Sequence, residues 1–130
     1  MSLDAALHSY LSGILSVGSR VFPMGKRPQQ STLESVTYQL VAGPGSHYSH
    51  GGVSDHLVSY QLDCWADSED GAVDLDLELV AALDGFSGYW GSYRIGSCFM
   101  QTVYDAPEPK VGLYRRTRQI EVHYQDPVGS

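Results

Sequence analysis

Cysteine is scarce: Cys64 and Cys98 are the only two in 130 residues, too few for a disulfide framework, and both lie in segments that read as strand interior. They are expected to be buried thiols. No apolar run approaches the ~18 residues of a membrane-spanning helix, and no basic region precedes an apolar stretch at Met1-Ser2-Leu3-Asp4. Neither export nor membrane insertion is indicated, and a reducing cytoplasm is the expected place of synthesis. Charge is low as well, at 18% against about 25% for an average soluble protein. With 42% hydrophobic residues, that composition argues against a disordered chain. One folded domain spanning 1–130 is expected, large enough to bury roughly two-thirds of the surface exposed by its unfolded chain.

The most informative absence is of positive charge. From Pro28 to Tyr93 there is no Lys or Arg, while ten acids fall there: Glu34, Asp55, Asp63, Asp67, Glu69, Asp70, Asp74, Asp76, Glu78 and Asp84. The remaining residues hold all eight bases and the other five acids, so a middle of -10 faces a remainder of +3 within a net charge of -7. A protein that grips a phosphate backbone is disfavoured by that balance. The bases include a cluster, Arg115, Arg116 and Arg118, near the C-terminus. An acidic region and a basic one suit a surface that meets a copy of itself head to tail; a solvated acidic face is the plainer reading.

What is present reads as helix, three strands, helix, two strands. Leu3, Leu7, Tyr10, Leu11, Ile14 and Leu15 recur at helical spacing behind Ser2, an N-cap residue, which predicts a helix over 4–15. Arg20-Val21-Phe22 before Pro23 is a short strand, and 25–32 a polar loop. Ser35 to Ala42 alternates with strand periodicity, as does Leu57 to Trp65, where Val58, Tyr60, Leu62 and Cys64 point one way and Ser59, Gln61, Asp63 and Trp65 the other. Between them, 43–56 is rich in turn formers and reads as a flexible loop inside an extended hairpin. From Ser68 a second helix carries Val73, Leu77, Val80 and Ala81 on one stripe, with Leu75, Leu79, Ala82 and Leu83 beside it, and ends at Gly85. Asp67, Asp74 and Glu78 occupy its other side. The connector 85–91 mixes three aromatics with three glycines and is expected to pack on the core, with an exposed sticky tip as the alternative. Two strands follow, Tyr93 to Tyr104 and Leu113 to Tyr124, separated by a segment whose prolines cannot continue a ladder. The fold class expected is α+β: a mainly antiparallel sheet of about four to five strands with two helices packed against it.

Signatures of catalysis are missing. There is no Gly-x-Ser-x-Gly elbow and no phosphate-cradling glycine motif. His47, His50, His56 and Asp55 are of the right types for zinc, but their spacing matches no known signature and a glycine-rich loop is a poor ligand frame. No cofactor, metal or catalytic residue is assigned, and no enzyme is expected. A small metal- or ligand-binding enzyme domain built on the histidine-rich loop is the alternative. His8 and His123 are lone histidines in regular elements.

Tyr60-Gln61-Leu62-Asp63-Cys64-Trp65-Ala66-Asp67-Ser68 before a helix, Tyr104-Asp105 before a proline-containing turn, and Leu113-Tyr114-Arg115-Arg116 leading into Ile120-Glu121-Val122-His123-Tyr124 together resemble the tail-completion, or tail terminator, proteins of long-tailed bacteriophages, prophages and gene-transfer particles. The resemblance runs over nearly the whole chain and is carried by strand patterns. It implies a structural virion protein assembled in the host cytoplasm and located at the head-tail junction. Such a protein forms a homohexameric ring on the tail tube, stops tube polymerisation and joins the tail to the head connector. The implied partners are copies of itself, the major tail tube protein and a head-completion or connector protein. DNA would pass through the channel without specific binding, and no membrane is involved. The family also implies a loop that orders on assembly, which points to Gly45, His47, Tyr48, His50 and Gly52. A ring needs two unlike patches, and Arg115, Arg116 and Arg118 facing Asp67, Asp74 and Glu78 would supply them.

Overall fold

The computed structural model describes residues 2–18, 20–23, 34–42, 47–50, 53–108 and 113–125. Helix α1 (Leu3–Ile14) starts where the Ser2 hydroxyl accepts from the Ala5 N–H at 3.1 Å, with Asp4 in the first turn. It buries Leu3, Ala6, Leu7 and Leu11, the one face that its spacing supplies. Strands β1 (Val21–Pro23), β2 (Ser35–Ala42), β3 (His47–His50) and β4 (Val53–Ala66) follow. Helix α2 (Glu69–Leu83) is capped by Ser68, which accepts from the Gly71 N–H at 3.0 Å. The chain closes with β5 (Gly88–Trp90), β6 (Tyr93–Glu108) and β7 (Leu113–Gln125).

The sheet runs β1-β2-β4-β7-β6-β5, with β3 paired to β4 as a seventh strand. Among the described strands only β1 and β2 pair parallel, so the sheet is mixed and mostly antiparallel. The two strands beyond the expected five are β3 and β5, four and three residues long, in glycine-rich segments too short to show alternation. The segment read as a flexible loop is thereby corrected in part. His47↔His56 through His50↔Val53 form an antiparallel ladder, and β2 and β3 lie end to end along one flank of β4 while β7 takes the other. The extended hairpin stands; Gly45 and Gly52 lie outside the described residues.

Strand β6 also runs further than expected, through Pro107 opposite Tyr114. Pro107 shares the register phase of Met100, whose N–H points away from β7 to Asp84 Oδ1 at 3.1 Å. A residue there donates nothing to the β7 ladder, so proline is tolerated.

Both helices cover one face of the sheet. Val36, Tyr38, Val58, Tyr60, Leu62, Cys64, Ile95, Cys98, Ile120 and Val122 point into a core shared with Leu7, Leu11, Leu75 and Leu79. Helix α1 touches β1 at one end of the sheet and β5 at the other, so the sheet curls around it. The aromatic connector joins this core as expected: Trp90 is fully buried and stacks with Tyr10 and Phe86. Tyr89, opposite in side, is 63% exposed.

Helix α2 departs from the sequence reading. Ala72, Leu75, Asp76, Leu79, Ala82 and Leu83 form its inner face, while Leu77 is 59% exposed. The stripe begun by Val73 and Leu77 looks outward.

Candidate functional site

The acids and bases singled out in the sequence separate into an internal clamp and an outer surface. Asp76 sits on the inner face of α2, 1% exposed, above β4 and β7. On β7, Arg116 and Arg118 share the face of Ile120 and Val122, which brings both guanidinium groups under the helix. Arg118 donates from Nε to Asp76 Oδ1 at 2.6 Å and from Nη2 to Oδ2 at 2.9 Å, a bidentate pair. Arg116 Nε stands 3.0 Å from Oδ2 of the same carboxylate. The hydrogen bonds to Asp76 raise the Arg118 pKa above its usual value, against the opposing effect of burial.

This geometry corrects one expectation. Asp76 is not part of a solvated acidic face, because a buried carboxylate needs partners and finds them on β7. Arg116 and Arg118 both pair with Asp76 inside the fold, and their side chains keep part of their surface. Arg115 points to the opposite face, its guanidinium carbon 5.3 Å from the centre of the Trp65 ring. Trp65 Nε1 in turn donates to Thr37 Oγ1 at 3.0 Å.

On that uncovered face a second acid is enclosed. Asp63 has no exposed surface, and its Oδ1 accepts from Thr117 Oγ1 at 2.6 Å, directly across the β4–β7 ladder. On the helix-covered face the Cys64 thiol is buried, and burial, followed by Asp76 and Asp63, pushes its pKa far up, outweighing Arg118 and Arg116. Burial and then Asp84 push the Cys98 thiol up to about 12. Both cysteines are free and buried, as the sequence suggested. They are held protonated, which makes them weak nucleophiles.

Of the acids assigned to the surface, Asp67 and Asp74 are exposed. Glu78 is tied to the end of α1, accepting from the Ser16 N–H at 2.9 Å and the Ser16 hydroxyl at 2.7 Å. His47 and His56 are register partners, and Tyr48 and His50 pair with Asp55 and Val53. The His56 ring stacks on Tyr124 at 4.9 Å, inside the core face. His8 lies against Tyr38, and His123 is exposed beside Glu121. No group of three or more His, Cys, Asp or Glu arranged to hold a metal occurs among the described residues.

Two features escaped the sequence reading. Asp4 accepts a hydrogen bond from the Tyr60 hydroxyl, tying the start of α1 to the sheet centre, and burial first, then this bond, drives the Tyr60 pKa well above the usual phenol value. The other is the corner where Tyr89 faces Arg94 on the β5–β6 hairpin. Its signal was present: Arg94 is the first base after the long base-free stretch.

What the geometry defines is a two-helix, curled-sheet fold whose buried charges clamp its own layers. No family model and no curated protein matches the sequence. The fold is similar to a chain in a solved structure described as the virion of a native gene transfer agent (GTA) particle. The TM-score is 0.71 at 15% identity, and the match covers 96% of this chain and 96% of that one.

Proposed function

We propose that this chain is a structural component of a tailed virion or gene-transfer particle, and within it the tail terminator. Six copies close as a ring on the finished tail tube, block further addition of the major tail tube protein, and present the opposite surface to the head-completion or connector protein. The ring sits at the head-tail junction and lets DNA through without specific binding. The observation that carries this reading is the end-to-end correspondence in fold with a chain of a gene transfer agent virion. The residues agree with it: the outward side of α2 presents Leu77 beside Asp70 and Asp74, and the helix holds no base, a surface with both an anchor and a charge to offer a partner.

Deleting the gene from the particle-producing strain tests the reading. Electron microscopy should find tails of uneven, excessive length without heads, and complementation should restore normal particles. Antibody against the chain should label the head end of the tail. Normal particles from the deletion strain would refute the proposal.

A further inference from the structure

The outer surface of α2 has one composition and the β5–β6 corner another. Along α2, Asp70, Asp74 and Ala81 are exposed and Leu77 is 59% exposed, all on one side at helical spacing. Ile14 of α1, 51% exposed, extends the apolar strip across a shallow cleft that it lines with Glu78, Ala81 and Ala82. The strip is therefore apolar along its middle and acidic along its rim. No Lys or Arg occurs anywhere in α2.

At the far end of the sheet, Tyr89 and Arg94 are cross-strand partners, so their side chains project from the same face. Tyr89 is 63% exposed, the most exposed large apolar side chain among the described residues, with Leu77 next. Arg94 is the one exposed Lys or Arg among the described residues. Arg20 donates to the Glu34 carbonyl oxygen, Arg115 lies over Trp65, and Arg116 and Arg118 hold Asp76.

We propose that copies of this chain associate head to tail, with the Tyr89–Arg94 corner of one copy seated on the outward Leu77 stripe of α2 in the next. The acidic rim selects against α2 meeting α2, because like charges would be brought together as the contact dries. It selects for a partner that carries a cation beside an apolar anchor, and the Tyr89–Arg94 corner is that combination on this chain. Tyr and Arg are also the side chains that most often dominate interface energetics. Because the two patches differ, each copy keeps one unused patch after pairing. The contact therefore propagates until it closes on itself. Closure into a ring rests on the terminator reading above; the pairing of these two surfaces rests on their composition.

Leu77→Asp and Arg94→Glu test it, with Arg94→Lys as the conservative control. Both positions are exposed, so the melting temperature should stay at the wild-type value. In sedimentation over a concentration series, wild type should associate, each of the two variants should associate at least about tenfold more weakly, and Arg94→Lys should fall between. Each variant keeps one sound patch, so an equimolar mixture of the two should form dimers and stop there. The proposal is overturned if either variant assembles as wild type does, if the mixture stays monomeric, or if wild type is monomeric throughout. Headless, overlong tails in the deletion strain beside any of those results would leave the terminator reading standing while removing this contact. Normal particles in that strain would remove the reading, whatever the subunits do in solution.

Discussion

Replacing Asp76 by Asn keeps the shape of the side chain and removes the one charge that two arginines share. In the native subunit this carboxylate is 1% exposed, while the Arg116 and Arg118 side chains retain 23% and 17% of their surface. Removing one member of a buried ion pair costs about 3–5 kcal/mol, most of it from the charge left behind. Here the stranded groups are guanidiniums whose tips still reach some water, so the lower end applies, about 3 kcal/mol. For 130 residues at ~2.1 cal/mol/K each, the unfolding entropy is about 0.27 kcal/mol/K, and the melting temperature should fall by about 11 °C. Arg118→Gln, which breaks the bidentate pair but leaves Arg116 beside the carboxylate, should cost less, about 1.5–3 kcal/mol. The double variant should lose less than the sum of its parts, because the second change removes a group already stranded by the first. Calorimetry at neutral pH on the isolated subunit measures all three. High salt should not abolish the loss, since the pair is shielded from counterions. An Asp76→Asn subunit within about 0.5 kcal/mol of wild type, or losses that simply add, would refute the clamp. The same clamp dictates that reversing Arg116 and Arg118 to glutamate destabilises the monomer, since three carboxylates would then crowd one dry site.

The Asp4–Tyr60 bond should respond unequally to its two deletions. Asp4→Ala strands a buried phenol hydroxyl and should cost about 1–3 kcal/mol, whereas Tyr60→Phe returns an exposed carboxylate to water and should cost about 1 kcal/mol, a difference that urea denaturation resolves. Ser68→Ala, which removes the α2 N-cap, should lower stability by about 1 kcal/mol in the same assay. Alkaline pH should weaken the fold. Burial raises the Cys98 pKa from 9.0 to about 12 and shifts Cys64 and Tyr60 upward too. The native state therefore holds protons that the unfolded chain has already released, and the stability is full below the thiols' ordinary pKa. It is lost as pH rises from there toward the native values, by up to about 1.4 kcal/mol per pH unit for each such group. Melting temperatures that stay level to about pH 11 would contradict this.

The elements that were legible in the sequence are those long enough to repeat a period. Helix α1 and strands β2, β4 and β7 show their buried sides as every third or fourth or every second residue, and the inward set Val58, Tyr60, Leu62 and Cys64 is the one the sheet buries. Strands β3 and β5 escaped because three or four residues hold no period, and because glycines there read as turns. Helix α2 was harder for a different reason. Apolar residues occupy both sides of it, so periodicity locates a helix without choosing which stripe turns inward; the choice is made by Asp76, which can go in only because Arg116 and Arg118 lie opposite. That pairing spans 42 residues of chain and leaves no local trace. The alternation on β7 did place Arg116 and Arg118 with Ile120 and Val122, and it separated Arg115 from them. What it lacked was the identity of the group waiting above.

The turn that ends α2 is also fastened to the edge of β6. Gly85, at φ +74°, turns its N–H to the Cys98 carbonyl oxygen at 2.8 Å, and the preceding Asp84 carboxylate receives the Met100 N–H at 3.1 Å. These contacts fasten the end of the helix to the outer rim of β6, one through a backbone bond like those between strands and one through a carboxylate. The helix cannot lift from the sheet while β6 keeps its shape, and β6 cannot fray there while the helix holds. The amides of Gly85 and Met100 thus report on a joint opening: their hydrogens should exchange with deuterium at one shared slow rate, set by the loss of the helix and the strand together.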